Sequence, residues 1–176
     1  MSSRRQLDPS HLGDHLDRLY RAALGMCGSR EEAEDLVQET YAQVLRKPRF
    51  LESEDDIRYL LRALRNTFIG SRRTASRRPQ TQPLPDELDL IADPRSPAPE
   101  ARAEARDLYA AIAALPPNFR DAIVAIDLVG LSYREAARTL RVREATITTR
   151  LHRARQQVAR TLTPQSGPAR PADPRR

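Results

Sequence analysis

The stretch from Leu115 to Val158, LPPNFRDAIVAIDLVGLSYREAARTLRVREATITTRLHRARQQV, leaves little freedom in what it can fold into. Pro116 and Pro117 permit only a break or a first helical turn, because proline lacks the backbone donor that a helix interior needs. Phe119, Ile123 and Ile126 then recur at helical spacing, and Gly130 stands where a helix closes on a left-handed residue. Ser132, with Glu135 three residues on, is a capping box, so a second helix opens at Tyr133. Its apolar positions Ala136, Ala137 and Leu140 are small enough to let another helix cross closely. A turn from Arg141 to Arg143 leads into a last helix with Ile147, Leu151, Ala154 and Val158 inward. Two short helices joined by such a turn make a helix-turn-helix, whose second helix enters the DNA major groove.

What that last helix shows to solvent decides its role. Arg143, Thr146, Thr148, Thr149, Arg150, His152, Arg153, Arg155 and Gln156 form a face of donors with no acid after Glu144. Arginine forks onto guanine or phosphate, and threonine bonds phosphate or touches a thymine methyl. A basic helix packed on another domain would show the same charge without the helix-turn-helix spacing. The coincidence of the two favours DNA.

Composition narrows the rest. Among 176 residues, hydrophobic content is 39%, aromatics are 5% and tryptophan is absent, so each core must be built from Leu, Ile, Val and Ala. That suits small helical bundles. The net charge of +6 and a pI near 10.2 favour a nucleic acid or another anionic surface. No apolar run is long enough to span a bilayer and no signal-peptide core opens the chain, which points to the cytoplasm. One cysteine, Cys27, excludes an internal disulfide, and three scattered histidines offer no metal-site spacing.

The first half predicts three more helices. Asp8 and Pro9 suit an N-cap and first helical residue, followed by a stripe of Leu12, Leu16, Leu19, Ala23 and Met26 that Gly28 ends. Ser29 and Glu32 form a second capping box, opening a helix with Ala33, Leu36, Val37, Tyr41, Val44 and Leu45 inward until Pro48 stops it. After a loop from Arg49 to Asp56, Ile57, Leu60, Leu61, Leu64 and Phe68 line a third helix ending near Gly70. Three such helices share one core. The second shows Glu31, Glu32, Glu34, Asp35, Gln38 and Glu39; the third shows Arg58, Arg62, Arg65 and Asn66 and runs into Arg72, Arg73, Arg77 and Arg78. An acidic face suits a basic protein partner and a basic one suits phosphates, although two solvated faces would read the same way.

Residues 74–99 have no periodicity and six prolines, which makes them an extended connector. The connector carries Asp86, Glu87, Asp89 and Asp93 around Leu84, Leu88, Leu90 and Ile91. From Glu100 a helix restarts, with Ala101, Ala105, Leu108, Ile112 and Leu115 spaced to cover the helix-turn-helix. The tail beyond Leu162 is rich in Pro and Arg, a composition of disorder.

Taken together, AEDLVQETY (33–41), YLLRALRNTFIGSRR (59–73) and the helix-turn-helix pattern ending in RLHRAR resemble the extracytoplasmic-function (ECF) sigma factors of the sigma-70 family. The likeness runs in the family's order from Leu19 to Leu162. It implies an all-α chain: a region 2 bundle over residues 8–74, a linker over 75–99, a region 4 helix-turn-helix over 100–162 and a disordered tail over 163–176. It implies that Glu34, Asp35, Gln38 and Glu39 dock on the clamp of the largest subunit of core RNA polymerase, with region 4 on the flap of the second largest. Arg62, Arg65, Asn66, Arg72 and Arg73 then act at the minus-ten promoter element. Arg143, Thr146, Thr148, Thr149, Arg150, Arg153 and Arg155 act at the minus-thirty-five element. The linker would thread the polymerase cleft, the loop from Pro48 to Asp56 would capture a flipped base, and an anti-sigma factor would hold the protein inactive. Three positions depart from the family pattern: Arg141 and Ala145 replace glycines, and Tyr59 replaces a tryptophan. Arg141 would have to adopt a left-handed conformation at a cost of ~1 kcal/mol.

Two other classes compete. A free-standing helix-turn-helix regulator with a sensing or dimerising bundle explains residues 115–158 and leaves RNTFIGSRR and the connector without a role. A nuclease using Glu34, Asp35 and Glu39 as metal ligands lacks a nearby His, a Lys base and a glycine-rich phosphate loop. The sequence therefore points to a monomeric, non-enzymatic transcription initiation factor that needs no metal or cofactor and does not enter the membrane.

Overall fold

The computed structural model describes residues 5–6, 9–46, 50–51, 56–75 and 99–163. Seven α-helices carry the described fold: α1 (Leu16–Cys27), α2 (Arg30–Arg46), α3 (Asp56–Ala75), α4 (Pro99–Ala113), α5 (Pro117–Ile123), α6 (Tyr133–Leu140) and α7 (Glu144–Leu162). Residues 76–98 of the expected connector, 164–176 of the tail and most of the Pro48–Asp56 loop lie outside the described residues, while the connector's two ends, Ala75 and Pro99, are already helical. Ahead of α1, the start of the first expected helix is a tighter 3-10 helix over Pro9–His15 instead of an α-helix. Two short strands, β1 (Arg5–Gln6) and β2 (Phe50–Leu51), pair antiparallel, with Arg5 opposite Leu51.

Local chemistry sets the helix ends. Gly28 closes α1 at φ 81°, and its N–H bonds the carbonyl of Leu24. Ser29 Oγ accepts the N–H of Glu32 at 3.3 Å, while the Glu32 carboxylate lies 4.0 Å from Arg72 of α3. The Ser132–Glu135 box is complete. Ser132 Oγ accepts the Glu135 N–H at 3.3 Å, and Glu135 Oε2 accepts the Ser132 N–H at 2.7 Å. The turn after α6 is closed by Arg141 in the left-handed region at φ 56°, the one described non-glycine residue there. Gly70 does not end α3, which continues to Ala75. Its φ is negative, and a helix absorbs one interior glycine for about 1 kcal/mol.

In the first bundle, Leu19, Met26, Leu60, Leu61 and Leu64 are almost fully enclosed. Tyr41 ties α2 to the 3-10 segment by donating to the carbonyl of Leu12 at 3.0 Å. Two stripe residues point elsewhere than their spacing suggests: Leu16 is 44% and Leu45 49% exposed. Both sit at helix ends, where no described helix covers them. In α4 only Ala111 and Ile112 are buried; Ala101, Ala105 and Leu108 face solvent.

The second module encloses Ile123, Val124, Ala136, Ile147, Leu151 and Ala154. Between α5 and Gly130 the chain widens into a π-helical turn over Val124–Leu128, marked by the N–H of Val129 reaching back to Val124. Such turns concentrate at functional or strained places. The modules share one continuous core, because α1 packs on α4 and on the π turn as well as on its own bundle. A Cβ on Gly25 would stand 2.4 Å from a methyl of Leu128 and 3.1 Å from one of Val124, so glycine permits this close approach. Arg18 adds a polar tie, donating to the carbonyl of Val129 at 2.7 Å.

Candidate nucleic-acid interface

The buried stripe of α7, Ile147, Leu151, Ala154 and Val158, turns the opposite arc outward. On that arc Arg143, Thr146, Thr149, Arg150 and Arg153 line an open groove of about 480 Å³, together with Ala145 and Phe119. Five of the seven residues expected at the minus-thirty-five element are thus brought together. Thr148 and Arg155 lie off the groove. Arg155 is bidentate to Asp127 at 2.6 and 2.9 Å, a pairing that raises its pKa further. Phe119 was legible only as a core residue. It starts a helix behind Pro117, and a first-turn side chain projects past the end of the core it borders.

The threonine hydroxyls are not idle donors. Thr148 donates to the carbonyl of Glu144 at 3.2 Å and Thr149 to that of Ala145 at 3.1 Å. With its hydroxyl proton committed to the helix, each threonine leaves its oxygen lone pairs and its methyl group to an incoming ligand. Thymine methyls and exposed base amino groups are the matching features of the major groove.

The basic arc of α3 faces in two directions. Arg72 and Arg73 are exposed at its C-terminal end, and the Arg72 guanidinium stands 5.3 Å from the Phe68 ring centroid. Arg62, Arg65 and Asn66 line a second groove of about 180 Å³ whose other wall is Thr139, Leu140 and Arg141 of the helix-turn-helix. Nε of Arg62 is buried there without a hydrogen-bond partner. Arg65 is engaged across the module boundary: its Nε donates to Asp121 Oδ2 at 2.7 Å.

On α2 the residues Glu34, Asp35, Gln38 and Glu39 are all exposed along one arc. Glu34 pairs with Arg30 at 2.9 Å, and Glu39 accepts from Gln43 at 2.8 Å, both within the helix. Solvent-exposed pairs of this kind are worth little, so the acids remain available to an incoming basic surface. Cys27, at the end of α1, has its thiol pKa pushed up to about 12, chiefly by burial and then by nearby Glu32. Among the described residues no cluster of His, Cys, Asp or Glu is arranged to hold a metal ion. Nor is any described helix long and apolar enough to cross a membrane.

Comparison with known proteins agrees with this arrangement. The sequence pattern described as Sigma-70 region 2 matches residues 12–78, and that of Sigma-70, region 4 matches residues 105–158. The ECF RNA polymerase sigma factor SigE of Mycolicibacterium smegmatis is 38% identical over 86% of this chain, which spans 60% of that protein's length. The ECF sigma factor SigM of Mycobacterium tuberculosis is 32% identical over 84% of this chain and 73% of its own. The fold resembles that of the sigma factor RpoE solved with the anti-sigma factor NepR from Bartonella quintana (TM-score 0.62, 24% identity, 90% of this chain and 99% of that one). It also resembles CnrH solved with the cytosolic domain of CnrY (TM-score 0.60, 22% identity, covering 89% and 88%). With region 2 and region 4 patterns in order on one all-α chain, and with relatives of this identity and coverage, the protein belongs to the ECF sigma factors of the sigma-70 family.

Proposed function

We propose that this chain binds core RNA polymerase, recognises a promoter at its minus-thirty-five and minus-ten elements, and initiates transcription without catalysing a reaction itself. The observation that carries the reading is the division of surfaces. α2 carries an acidic arc, while α3 and α7 each carry a basic one, that of α3 meeting α2 where Arg72 lies 4.0 Å from Glu32. Glu34, Asp35, Gln38 and Glu39 meet the clamp of the largest polymerase subunit, and the second module meets the flap of the second largest. Arg62, Arg65, Asn66, Arg72 and Arg73 serve the minus-ten element, where single-stranded bases are held while basic groups follow the backbone. Arg143, Thr146, Thr149, Arg150 and Arg153 serve the minus-thirty-five element, with Thr148 and Arg155 at its margin.

The units doing this work are residues 8–74 and 100–162, joined by 75–99 and followed by a tail over 163–176. Two weak sites on one chain gain affinity for a bipartite promoter through effective concentration. The protein acts as a cytoplasmic monomer when free. The similar sigma factor RpoE was solved in complex with the anti-sigma factor NepR, which supports an anti-sigma partner here too. Run-off transcription with core polymerase over a genomic promoter library tests the whole reading. Discrete transcripts that require this chain are expected; if core alone and core plus this chain give the same products, the reading fails.

A further inference from the structure

Part of the basic arc of α3 is turned against the protein's own second module. Arg65 donates to Asp121 of α5 at 2.7 Å, and the Asp121 side chain is only 11% exposed. One turn further along α3, the Phe68 ring has Arg120 of α5 over it at 5.0 Å, opposite in origin to Arg72 of its own helix. Arg120 is fixed in that pose by donating to the carbonyl of Ala113 at 2.8 Å. Arg62 and Asn66 look into the narrow groove closed by Arg141.

A carboxylate held by a guanidinium presents the charge and oxygen geometry that a backbone phosphate would present. With Asp121 in place, an approaching phosphate meets a like charge at Arg65 and the wall of α5 and α6 beside it. We propose that Asp121 acts as an internal stand-in for a DNA phosphate, latching the helix-turn-helix onto α3 and withholding Arg65 from DNA until the modules part. This rests on the reading that the basic arc of α3 binds the minus-ten strand. A latch closed in about nine molecules of ten weakens apparent affinity about tenfold, because only the open fraction binds.

The test uses the full chain without polymerase, a labelled random-sequence single-stranded DNA of about twelve nucleotides, and small-angle scattering for compactness. Circular dichroism checks the fold of each variant. Asp121→Asn, which keeps shape and removes charge, is expected to expand the molecule and to bind about tenfold tighter. Asp121→Glu keeps the charge and should stay compact with wild-type affinity. Arg65→Ala added to Asp121→Asn, where the latch is already open, reports separately on the arc and should bind more weakly than Asp121→Asn alone. If the added Arg65→Ala weakens binding while Asp121→Asn alone leaves affinity unchanged, the latch is wrong and the minus-ten reading stands. If the double variant binds as Asp121→Asn does, the minus-ten reading fails, and the latch, withholding nothing, falls with it.

Discussion

Arg155 of the recognition helix and Asp127 of the π turn are joined by two parallel hydrogen bonds, at 2.6 and 2.9 Å. The pair crosses from the last helix to the segment that precedes the helix-turn-helix, so Arg155 braces the module from one flank of the recognition helix. Arg155→Ala should therefore lower stability by less than about 1 kcal/mol, the range of a solvent-exposed pair, and leave promoter specificity unchanged. Thermal unfolding of Arg155→Ala, Asp127→Asn and the double variant checks this. The double variant should lose no more than either single one, because both remove the same interaction.

Arg150 and Arg153 line the groove beside the N-terminal half of α7, the half with which a helix of this motif reads base edges. Removing a bidentate contact to guanine costs ~1–3 kcal/mol and relaxes specificity at one base pair. Removing a phosphate contact weakens all sequences alike and lowers the salt slope by about one counterion. Arg150, closer to the helix start and partly enclosed, is expected to behave in the first way and Arg153 in the second. Titration of both alanine variants over single-base promoter changes at two salt concentrations separates them.

The arc of α2 gives a test free of DNA. Asp35→Arg with Glu39→Arg, both at exposed positions, should abolish co-purification with core polymerase while the helical circular dichroism spectrum is retained. Retained co-purification would place the docking surface elsewhere.

The capping box links stability to pH. Glu135 accepts the Ser132 O–H at 2.6 Å and its N–H at 2.7 Å, and these bonds hold the Glu135 carboxyl below the ordinary glutamate value. A depressed folded-state pKa stabilises the protein above the unfolded value of about 4.3. That contribution is lost as pH falls through the lower folded-state value. Ser132→Ala should cost about 1 kcal/mol near neutrality and flatten the acid side of the stability curve. Chemical denaturation of both proteins between neutral pH and strongly acidic pH measures the difference.

Arg141→Gly should raise the unfolding midpoint. It relieves a left-handed arginine at φ 56°, a strain of about 1 kcal/mol, partly offset by the flexibility glycine adds to the unfolded chain. It also removes a like charge from the groove shared with Arg62 and Arg65. An unchanged or lower midpoint would show that the Arg141 side chain contributes more than its backbone costs.

These cases also show what the sequence made legible. The Ser132–Glu135 box, the left-handed closures at Gly28 and Gly130, and the strain at Arg141 are local chemistry, decided within four residues. The inward stripes of α3 and α7 follow from periodicity alone. Leu16, Leu45 and most of α4 escaped because a stripe says which side is apolar, not whether a neighbour arrives to cover it. Arg65 and Asp121 stand 56 residues apart, and Arg155 and Asp127 stand 28 apart. Neither pairing was legible, because nothing local announces a distant carboxylate. Phe119 was hidden by its own apolarity.

The widened turn at Val124–Leu128 has a consequence of angle. One residue added to or removed from an α-helix rotates everything after it by about 100°. Here the extra width lets Leu128 drop onto the bare backbone of Gly25 while its neighbour Asp127 looks the other way, toward Arg155. One contact indexes the module against the first bundle; the other indexes the recognition helix against its own support. Deleting a single residue from this turn would shorten the helix only slightly, yet it would swing both contacts out of reach together. The aim of the α7 arc relative to the first bundle is thus set, like a gear by one tooth, within the five residues of this turn.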